Sequence, residues 1–264
     1  MTIVACLKWV SHPGEPDDAR FSGMSPADQA ALEFALLQAQ ALGDTVVAVT
    51  LGPAGADRVL RDALACGAAR AVRIDAPITT AGHDVAAAIA HHVVGASFLW
   101  CGDHSLDLGA GAVPAFLAAH LGAEQALGVI HAVLGDGEVH ATRRLDGGWR
   151  EVLAVRAPAV ISVEGATARL RRASLPAVRA AASAPIEVVA PSAPVEQPEF
   201  IMRPYRPRAR ALPPPAGQSP LERLRVLTDA GAAAAARGEQ LTLEPAAAAA
   251  RIVQALREWG HLGE

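Results

Sequence analysis

Lysine is nearly absent from this sequence: Lys8 is the single lysine among 264 residues, and the other basic side chains are arginine and histidine. The net charge is −4 and the isoelectric point lies near 6.1, so positive charge is not in excess. Because nucleic acids bind mainly through basic side chains that neutralise their phosphates, we expect no nucleic-acid partner. The Walker A phosphate loop is also excluded, because its lysine follows a glycine whereas Lys8 follows Leu7.

Cysteine is scarce too. Cys6, Cys66 and Cys101 form no Cys-x-x-Cys pair, which argues against a disulfide framework and fits a reducing cytoplasm. The N-terminal apolar stretch precedes Lys8, which is the reverse of a secretory signal peptide. No uncharged apolar run is long enough to span a membrane. We therefore expect a cytoplasmic protein without membrane insertion.

Apolar runs alternate with helical segments in the first part of the chain. Strands are predicted over 2–10, 45–52, 70–75 and 96–102, and helices over 23–43, 56–67, 82–94 and 109–122. In the first helix, Ser25 suits the N-cap, Pro26 suits the first helical position, and Gly43 suits the C-terminal exit. Apolar strands separated by helices indicate a parallel sheet that helices cover on both sides, an α/β fold.

The pattern changes after residue 128. Segment 128–165 contains "GDG" and "DGG" turns between short strands, which predicts antiparallel hairpins that extend the same sheet. Segment 191–216 is rich in proline and contains four arginines, Arg203, Arg206, Arg208 and Arg210. Helices are predicted again over 219–231 and 244–260. We expect a domain over 1–190, followed over 191–264 by an arm that contacts another chain.

The arm hypothesis depends on aromatic residues. Phe200, Tyr205 and Trp259 would be costly to leave in water, which favours an arm that packs on a partner. The alternative is an unattached tail, since proline-rich segments do not pack a core of their own. The arginines fit either a partner or phosphate contact, or a solvated surface.

A glycine-rich turn is the best candidate for a ligand site. The fingerprint Gly-x-Gly-x-x-Gly is missing after the first strand, where the sequence is "KWVSHPGEP", which argues against a classical nicotinamide dehydrogenase. The turn "GDHSLDLGAGAVP" follows the fourth strand instead. In open α/β sheets ligands bind at the carboxyl ends of the strands, which here carry Ala5–Lys8, Leu51–Pro53 and Gly102–Gly111.

These segments and the helix that begins at Ser25 predict one crevice. Ser105, Asp107 and the backbone of 109–113 could bind the ribose and phosphate of a mononucleotide, with His104 as a further contact. The alternative is that the glycines only permit a tight turn. No His-Glu-x-x-His, Cys/His cluster or Gly-x-Ser-x-Gly motif is present, so we predict no metal and no catalytic residue. A nucleotide site without a nucleophile or base indicates a binding or carrier role.

Segments across residues 1–190 resemble, in order, the beta (small) subunit of electron transfer flavoprotein. The stretches that carry the resemblance are "MTIVACLKWV", "MSPADQAALEFAL", "VLRDALACGAARAVRI", "CGDHSLDLGAGAVPAFLAAHLG", "RRLDGGWREVLAVRAPAVISVEG" and "RRASLPAVRAAASAPIEVV". The resemblance implies an adenine nucleotide alpha-hydrolase-like, Rossmann-like fold. It also implies a heterodimer with an alpha subunit that carries FAD, which both chains contact. AMP, or a second FAD in electron-bifurcating members, would occupy the crevice.

The family passes electrons from dehydrogenases to a quinone oxidoreductase or another acceptor, so the resemblance implies a carrier. It implies docking of dehydrogenases at Leu175 and Pro176. The crevice and the resemblance together predict the following cofactor-binding residues: Ala5, Lys8, Ser25, Pro26, Ala27, Asp28, Leu51, Gly102, His104, Ser105, Asp107, Gly109, Ala110, Gly111, Ala112 and Val113.

The sequence also departs from the family pattern. Asp103 and His104 stand where the family usually has a basic residue and a glutamine. The C-terminal stretch "AAARIVQALREWGHL" resembles a divergent branch associated with the peptide-derived redox cofactor mycofactocin. The alternative is a protein of a different functional class, a stand-alone adenine-nucleotide-binding regulator of the universal-stress type. A nucleotide-dependent hydrolase or ligase would need a Ser-Gly-Gly-x-Asp-Ser loop after the first strand, which is missing.

Overall fold

The computed structural model describes residues 2–10, 22–135, 137–191, 215, 217, 219–227 and 241–261. Two compact units are distinguished, Met1–Glu199 and Phe200–Glu264. The expected contacts of the arginine-rich arm, including Arg203, Arg206, Arg208, Arg210, Phe200 and Tyr205, lie outside the described residues. The first unit carries the predicted crevice.

The first unit alternates strands and helices as the sequence predicts, but the predicted strand over 2–10 is divided. Its part in the main sheet ends at Cys6, while Trp9–Val10 pairs with Gly23–Met24, so the first helix begins at Pro26 rather than at residue 23. The strands are β1 (Thr2–Cys6), β2 (Trp9–Val10), β3 (Gly23–Met24), β4 (Val46–Gly52), β5 (Arg70–Asp75), β6 (Ala96–Gly102), β7 (Glu124–Leu134), β8 (Glu138–Arg144), β9 (Arg150–Arg156), β10 (Ala159–Val163) and β11 (Glu187–Val189). The helices are α1 (Pro26–Leu42), α2 (Asp57–Cys66), α3 (Gly82–His92), α4 (Val113–Leu121) and α5 (Leu175–Ser183).

Nine strands form one sheet in the order β11-β5-β4-β1-β6-β10-β7-β8-β9. The strands from β11 to β7 are parallel, while β8 and β9 are antiparallel to their neighbours. The short strands β2 and β3 form a separate antiparallel pair. The mostly parallel sheet with an antiparallel hairpin extension is therefore confirmed.

Strand β10 occupies a place that the sequence pattern did not predict. The pattern grouped it with the hairpins, whereas the structure inserts it between β6 and β7, parallel to both. All five of its residues are buried. A strand that is apolar on both faces is stable in the interior of the sheet, where helices or other layers cover both sides.

Helices cover the sheet on both faces, which gives three layers. Helices α1 and α2 pack on the face that carries Ile3, Phe98 and Trp100. Helices α3 and α4 pack on the opposite face, which carries Val4 and Leu99. The alternation of the core residues along β1 and β6 follows the two-residue period of a strand.

The ends of α1 are set by its own sequence. The Ser25 hydroxyl accepts a hydrogen bond from the Asp28 N–H at 3.0 Å, and Gly43 ends the helix in the left-handed conformation with φ of 63°. Helix α4 begins at Val113 rather than at residue 109 as predicted. Gly109 has φ of 62° and donates its N–H to the Ser105 carbonyl at 2.7 Å, so residues 109–112 belong to a tight loop.

The second unit contains α6 (Pro220–Leu227) and α7 (Pro245–Glu258), at the positions where helices were predicted. On α7 and after it, Ile252 and Trp259 are exposed within this chain. None of the helices in the described part of the chain has the length and apolar character that a membrane crossing requires.

Candidate functional site

A cavity opens at the carboxyl ends of β1, β4 and β6. Strand β1 lies between β4 and β6, so the chain winds to one side of β1 and then to the other. Such a reversal of strand order leaves a crevice at the ends of the strands. The cavity encloses about 160 Å³ and is lined mainly by apolar side chains.

The end of β6 lies directly against the first turn of α1. A Cβ atom added to Gly102 would stand 2.7 Å from Oδ1 of Asp28 and 3.1 Å from the Cβ of Ala27. A side chain larger than hydrogen therefore does not fit without a shift of the helix. Gly102 thus fixes the approach of α1 to the cavity wall.

Asp28 is a buried carboxyl group at this junction. Its Oδ2 accepts hydrogen bonds from the Ser25 hydroxyl at 2.9 Å and from the Lys8 N–H at 3.4 Å. Burial raises the pKa of Asp28 to about 6, although the hydrogen bonds from Ser25, Lys8 and Gly102 favour the charged form. Asp28 therefore ties together the segment after β1, the end of β6 and α1, and it takes up a proton as the pH falls below about 6.

The single lysine bridges β1 and the loop between β6 and α4. Its Nζ donates to Oδ1 of Asp107 at 2.7 Å, and the same oxygen accepts the Leu108 N–H at 2.8 Å. Burial raises the pKa of Asp107, but the hydrogen bond and charge of Lys8 outweigh burial, and the net pKa is lowered. Lys8 thus links the segment after β1 to the loop that lines part of the cavity.

The loop between β6 and α4 is closed by its own backbone. Ser105 donates its N–H to the Ala110 carbonyl at 3.0 Å. A Cβ added to Gly111 would stand 2.1 Å from the carbonyl oxygen of Asp103, so only glycine fits there. The His104 ring lies 2.8 Å from Oδ1 of Asp103, which pairs the two residues that depart from the family pattern.

The structure brings most of the predicted contacts to the cavity. Those that line it are Lys8, Asp28, Leu51, Gly102, His104, Ser105, Ala110, Gly111 and Val113. The other predicted residues are not part of the cavity lining: Ala5, Ser25, Pro26, Ala27, Asp107, Gly109 and Ala112. Ala5 is fully buried in the sheet, so its side chain has a packing role.

One side of the cavity was missed by the sequence reasoning. Ile78 and Thr80 from the loop after β5, and Gly82, Val85 and Ile89 from α3, also line it. The sequence could have indicated this side, because the loop after β5 also follows the carboxyl end of a parallel strand.

The amide groups of α4 make the cavity suitable for an anion. Val113 and Pro114, in the first turn of this helix, line the cavity, and no described side chain caps its N-terminus. Proline has no N–H, so the donors of the first turn are the N–H groups of Val113 and Ala115. Uncapped first-turn N–H groups and the helix dipole favour a phosphate at this position. Within the described ranges, no group of three or more His, Cys, Asp or Glu side chains could hold a metal ion.

The predicted docking residues lie on α5, away from the cavity lining. Leu175 is 66% exposed, and Val178, which the sequence did not predict as a docking residue, is 47% exposed beside it on the same helix. Ser174 caps the helix by accepting the Ala177 N–H at 3.3 Å, and Pro176 lies in its first turn. The Arg61 guanidinium of α2 donates to the Ala181 carbonyl at 2.7 Å, so the exposed side chains project from an anchored helix.

Comparisons with known proteins agree with this architecture. A family profile described as "Electron transfer flavoprotein domain" matches residues 18–194. The chain belongs to the electron transfer flavoprotein beta-subunit family. Its broad role is accordingly that of an electron transfer flavoprotein polypeptide.

Three relatives illustrate the range of this family. "Protein FixA" of Azorhizobium caulinodans is 30% identical over 248 residues, covering 80% of this chain and 86% of its own length. "Electron transfer flavoprotein subunit beta" of Dictyostelium discoideum is 27% identical, covering 64% of this chain and 68% of its own length. The protein of that name from Bos taurus is 28% identical, covering 63% and 68% respectively.

Proposed function

We propose that this chain is the beta subunit of a heterodimeric electron carrier and that its cavity binds AMP. The observation that carries the nucleotide assignment is the position of the cavity, at the strand-order reversal beside β1. The uncapped N-terminus of α4 supports it, because amide donors at a helix N-terminus bind phosphate. The nucleotide has a structural role in this proposal and is not hydrolysed.

The charges near the cavity indicate how the phosphate would be held. Lys8 is paired with Asp107 at 2.7 Å, and His104 lies 2.8 Å from Asp103. Among the described residues that line the cavity, both basic side chains, Lys8 and His104, thus have a carboxylate partner. We therefore expect amide groups of the 109–113 loop and α4 to bind the phosphate, while the apolar walls contact the base.

The proposal includes an alpha subunit as the stable partner. FAD, which stores and releases electrons when bound, would lie at the interface with that subunit. This chain would supply one wall of the interface and the anchored loop between β6 and α4. The arm over 191–264 would contact the alpha subunit, and the complex would act in the cytoplasm.

The proposal assigns electron uptake to docking of dehydrogenases at α5. Leu175 and Val178 are large apolar side chains that protrude from a helix held by Arg61 and Arg171. A protruding apolar side chain on a rigid support can fill a pocket of a partner, as hot-spot residues do. Electrons would leave to a quinone oxidoreductase or another acceptor. The dehydrogenase would be of the specialised class that serves the mycofactocin-associated branch.

The test is to identify what the purified chain retains. The full chain is expressed alone and together with a candidate alpha subunit, and bound small molecules are released by denaturation and identified by mass. We expect AMP from the single chain and one additional FAD from the pair. The same experiment on Gly111→Ala should release less AMP, with Gly23→Ala as its matched control, because a Cβ at Gly23 meets no atom of the described residues within 4 Å.

Other results would redirect the proposal. Two FAD molecules per pair would mean that a second flavin, and not AMP, occupies the cavity. ATP, or no ligand, released from a stable homodimer would refute the carrier and favour the universal-stress type of regulator.

A further inference from the structure

Two cysteines lie side by side in the wall of the cavity. Cys6 is the last residue of β1 and Cys101 lies near the end of β6, and the two are register partners in adjacent parallel strands. Register partners in a parallel pair project to the same face of the sheet. Both are buried, 7% and 4% exposed, in the same core cluster, and both line the cavity.

The two thiols interact directly. A hydrogen bond between them raises the pKa of Cys101 well above its ordinary value, and burial raises it further. Adjacent strands are about 4.8 Å apart, which lies within the range of roughly 4.4–6.8 Å that disulfides span between Cα atoms. The pair can therefore be bridged without a large movement of the backbone.

The third cysteine has a different environment. Cys66 ends α2, and its thiol lies 3.5 Å from the Arg171 carbonyl, to which it donates a hydrogen bond. It is absent from the lining of the cavity. Cys66 is therefore an internal control for general thiol reactivity.

The geometry points to a reversible dithiol–disulfide couple formed by Cys6 and Cys101 on the cavity wall. The co-reactant is a low-molecular-weight disulfide, which reaches the pair through the cavity. One protein thiolate attacks this disulfide, forms a mixed disulfide and releases one small thiol. The second cysteine then displaces the other small thiol, which closes the protein disulfide. Two electrons and two protons pass from the cysteine pair to the two small thiols.

Two features determine how fast the disulfide forms and how easily it is reduced. The high pKa of Cys101 keeps its thiolate scarce at neutral pH, so we expect slow oxidation. A bridge between register partners must adopt the spacing of the two strands rather than its own preferred geometry. Constrained disulfides are reduced more readily by thiols, so we expect the couple to be reversible.

The test uses the full chain and oxidised glutathione. After incubation, the protein is unfolded in an alkylating agent, and the free cysteines and linked peptides are identified by mass spectrometry. We expect the free thiols to fall from three to one per chain. The remaining thiol is Cys66, a peptide pair links Cys6 to Cys101, and dithiothreitol restores all thiols.

Three variants sharpen the test. Cys66→Ala should keep the Cys6–Cys101 link. Cys101→Ala should leave Cys6 as a stable adduct with glutathione, because no second thiol resolves it, and Cys6→Ala should give the mirror result. Circular dichroism verifies that each variant is folded. The couple is overturned if both cysteines stay free, if both carry separate glutathione adducts, or if Cys66 enters the link.

A parallel incubation adds AMP, and this arm rests on the proposed function. A bound nucleotide should shield the cavity wall and slow formation of the link several-fold. An unchanged rate would leave the couple supported and count only against AMP in the cavity. If the link never forms in a chain that releases AMP on denaturation, the couple is refuted and the nucleotide assignment stands.

Discussion

The carboxylate of Glu33, in α1, forms an ion pair with Arg171, which lies in the loop that leads to α5. It accepts the Arg171 backbone N–H at 2.9 Å, and its two oxygens accept Nε and Nη2 of the guanidinium at 2.9–3.2 Å. Helix α1 also forms part of the cavity through Asp28. One helix therefore supports both the cavity and the approach to the exposed α5.

We expect Glu33→Gln to lower the free energy of unfolding by about 2 kcal/mol. The Glu33 side chain is 11% exposed, so the substitution weakens hydrogen bonds to a charged group in a partly shielded place. Urea denaturation measures the change. Glu187→Gln is the matched control, because the Arg70–Glu187 pair is 64% and 51% exposed and should contribute less than about 1 kcal/mol. Equal losses in the two variants would contradict the supporting role of Glu33.

Asp28 should make stability depend on pH. Its pKa is about 6 in the folded chain against 3.8 for an ordinary aspartate, so folding takes up a proton between these pH values. The free energy of unfolding should therefore fall as pH rises from 3.8 to about 6, by up to about 3 kcal/mol. Asp28→Asn removes this slope, and urea denaturation from pH 4 to pH 7 compares it with the unchanged chain.

Asp107→Asn should remove a pH dependence of the free energy of unfolding that is opposite in sign to that of Asp28. The pKa of Asp107 is lowered below 3.8, because the effect of Lys8 exceeds that of burial. The stability that Asp107 contributes is therefore fully present above pH 3.8 and is lost as pH falls further. A slope between pH 4 and pH 6 that persists in Asp28→Asn would show that another group titrates there.

Gly111→Ala should disrupt the loop between β6 and α4. The added Cβ would stand 2.1 Å from the carbonyl oxygen of Asp103, so the loop must change its conformation between Asp103 and Gly111. We expect roughly tenfold or greater loss of AMP affinity, which corresponds to about 1.4 kcal/mol or more. Calorimetry of AMP binding measures it, with Gly23→Ala as the control. Normal affinity in Gly111→Ala would mean that the loop does not hold the phosphate.

Leu175→Ala should slow electron uptake from the cognate dehydrogenase while FAD content stays unchanged. Truncation of a central apolar side chain of an interface typically costs about 2 kcal/mol, which is roughly 30-fold in affinity. Stopped-flow reduction at several dehydrogenase concentrations measures the effect. Val94→Ala is a matched control, because Val94 is also an exposed apolar residue, 79% accessible, outside α5. Loss of flavin with normal transfer per bound flavin would refute docking at Leu175.

Local patterns were sufficient to predict much of this fold. The caps of α1 at Ser25 and Gly43 depend only on neighbouring residues, and so does the alternation of apolar strands with helices. The parallel sheet followed from strands that are apolar on both faces. The crevice at the ends of β1, β4 and β6 followed from the rule for open sheets, before any contact was known.

Long-range contacts decided the rest. The place of β10 in the sheet depends on which strands pair with it. The start of α4 at Val113 depends on how the preceding loop closes. Lys8 and Asp107 are 99 residues apart, so their pairing could not be predicted from spacing. The pairing of Cys6 with Cys101 depends on register, and the pKa of Asp28 on burial. These properties arise only when distant segments pack together, because register, desolvation and charge pairing are set by neighbours in space.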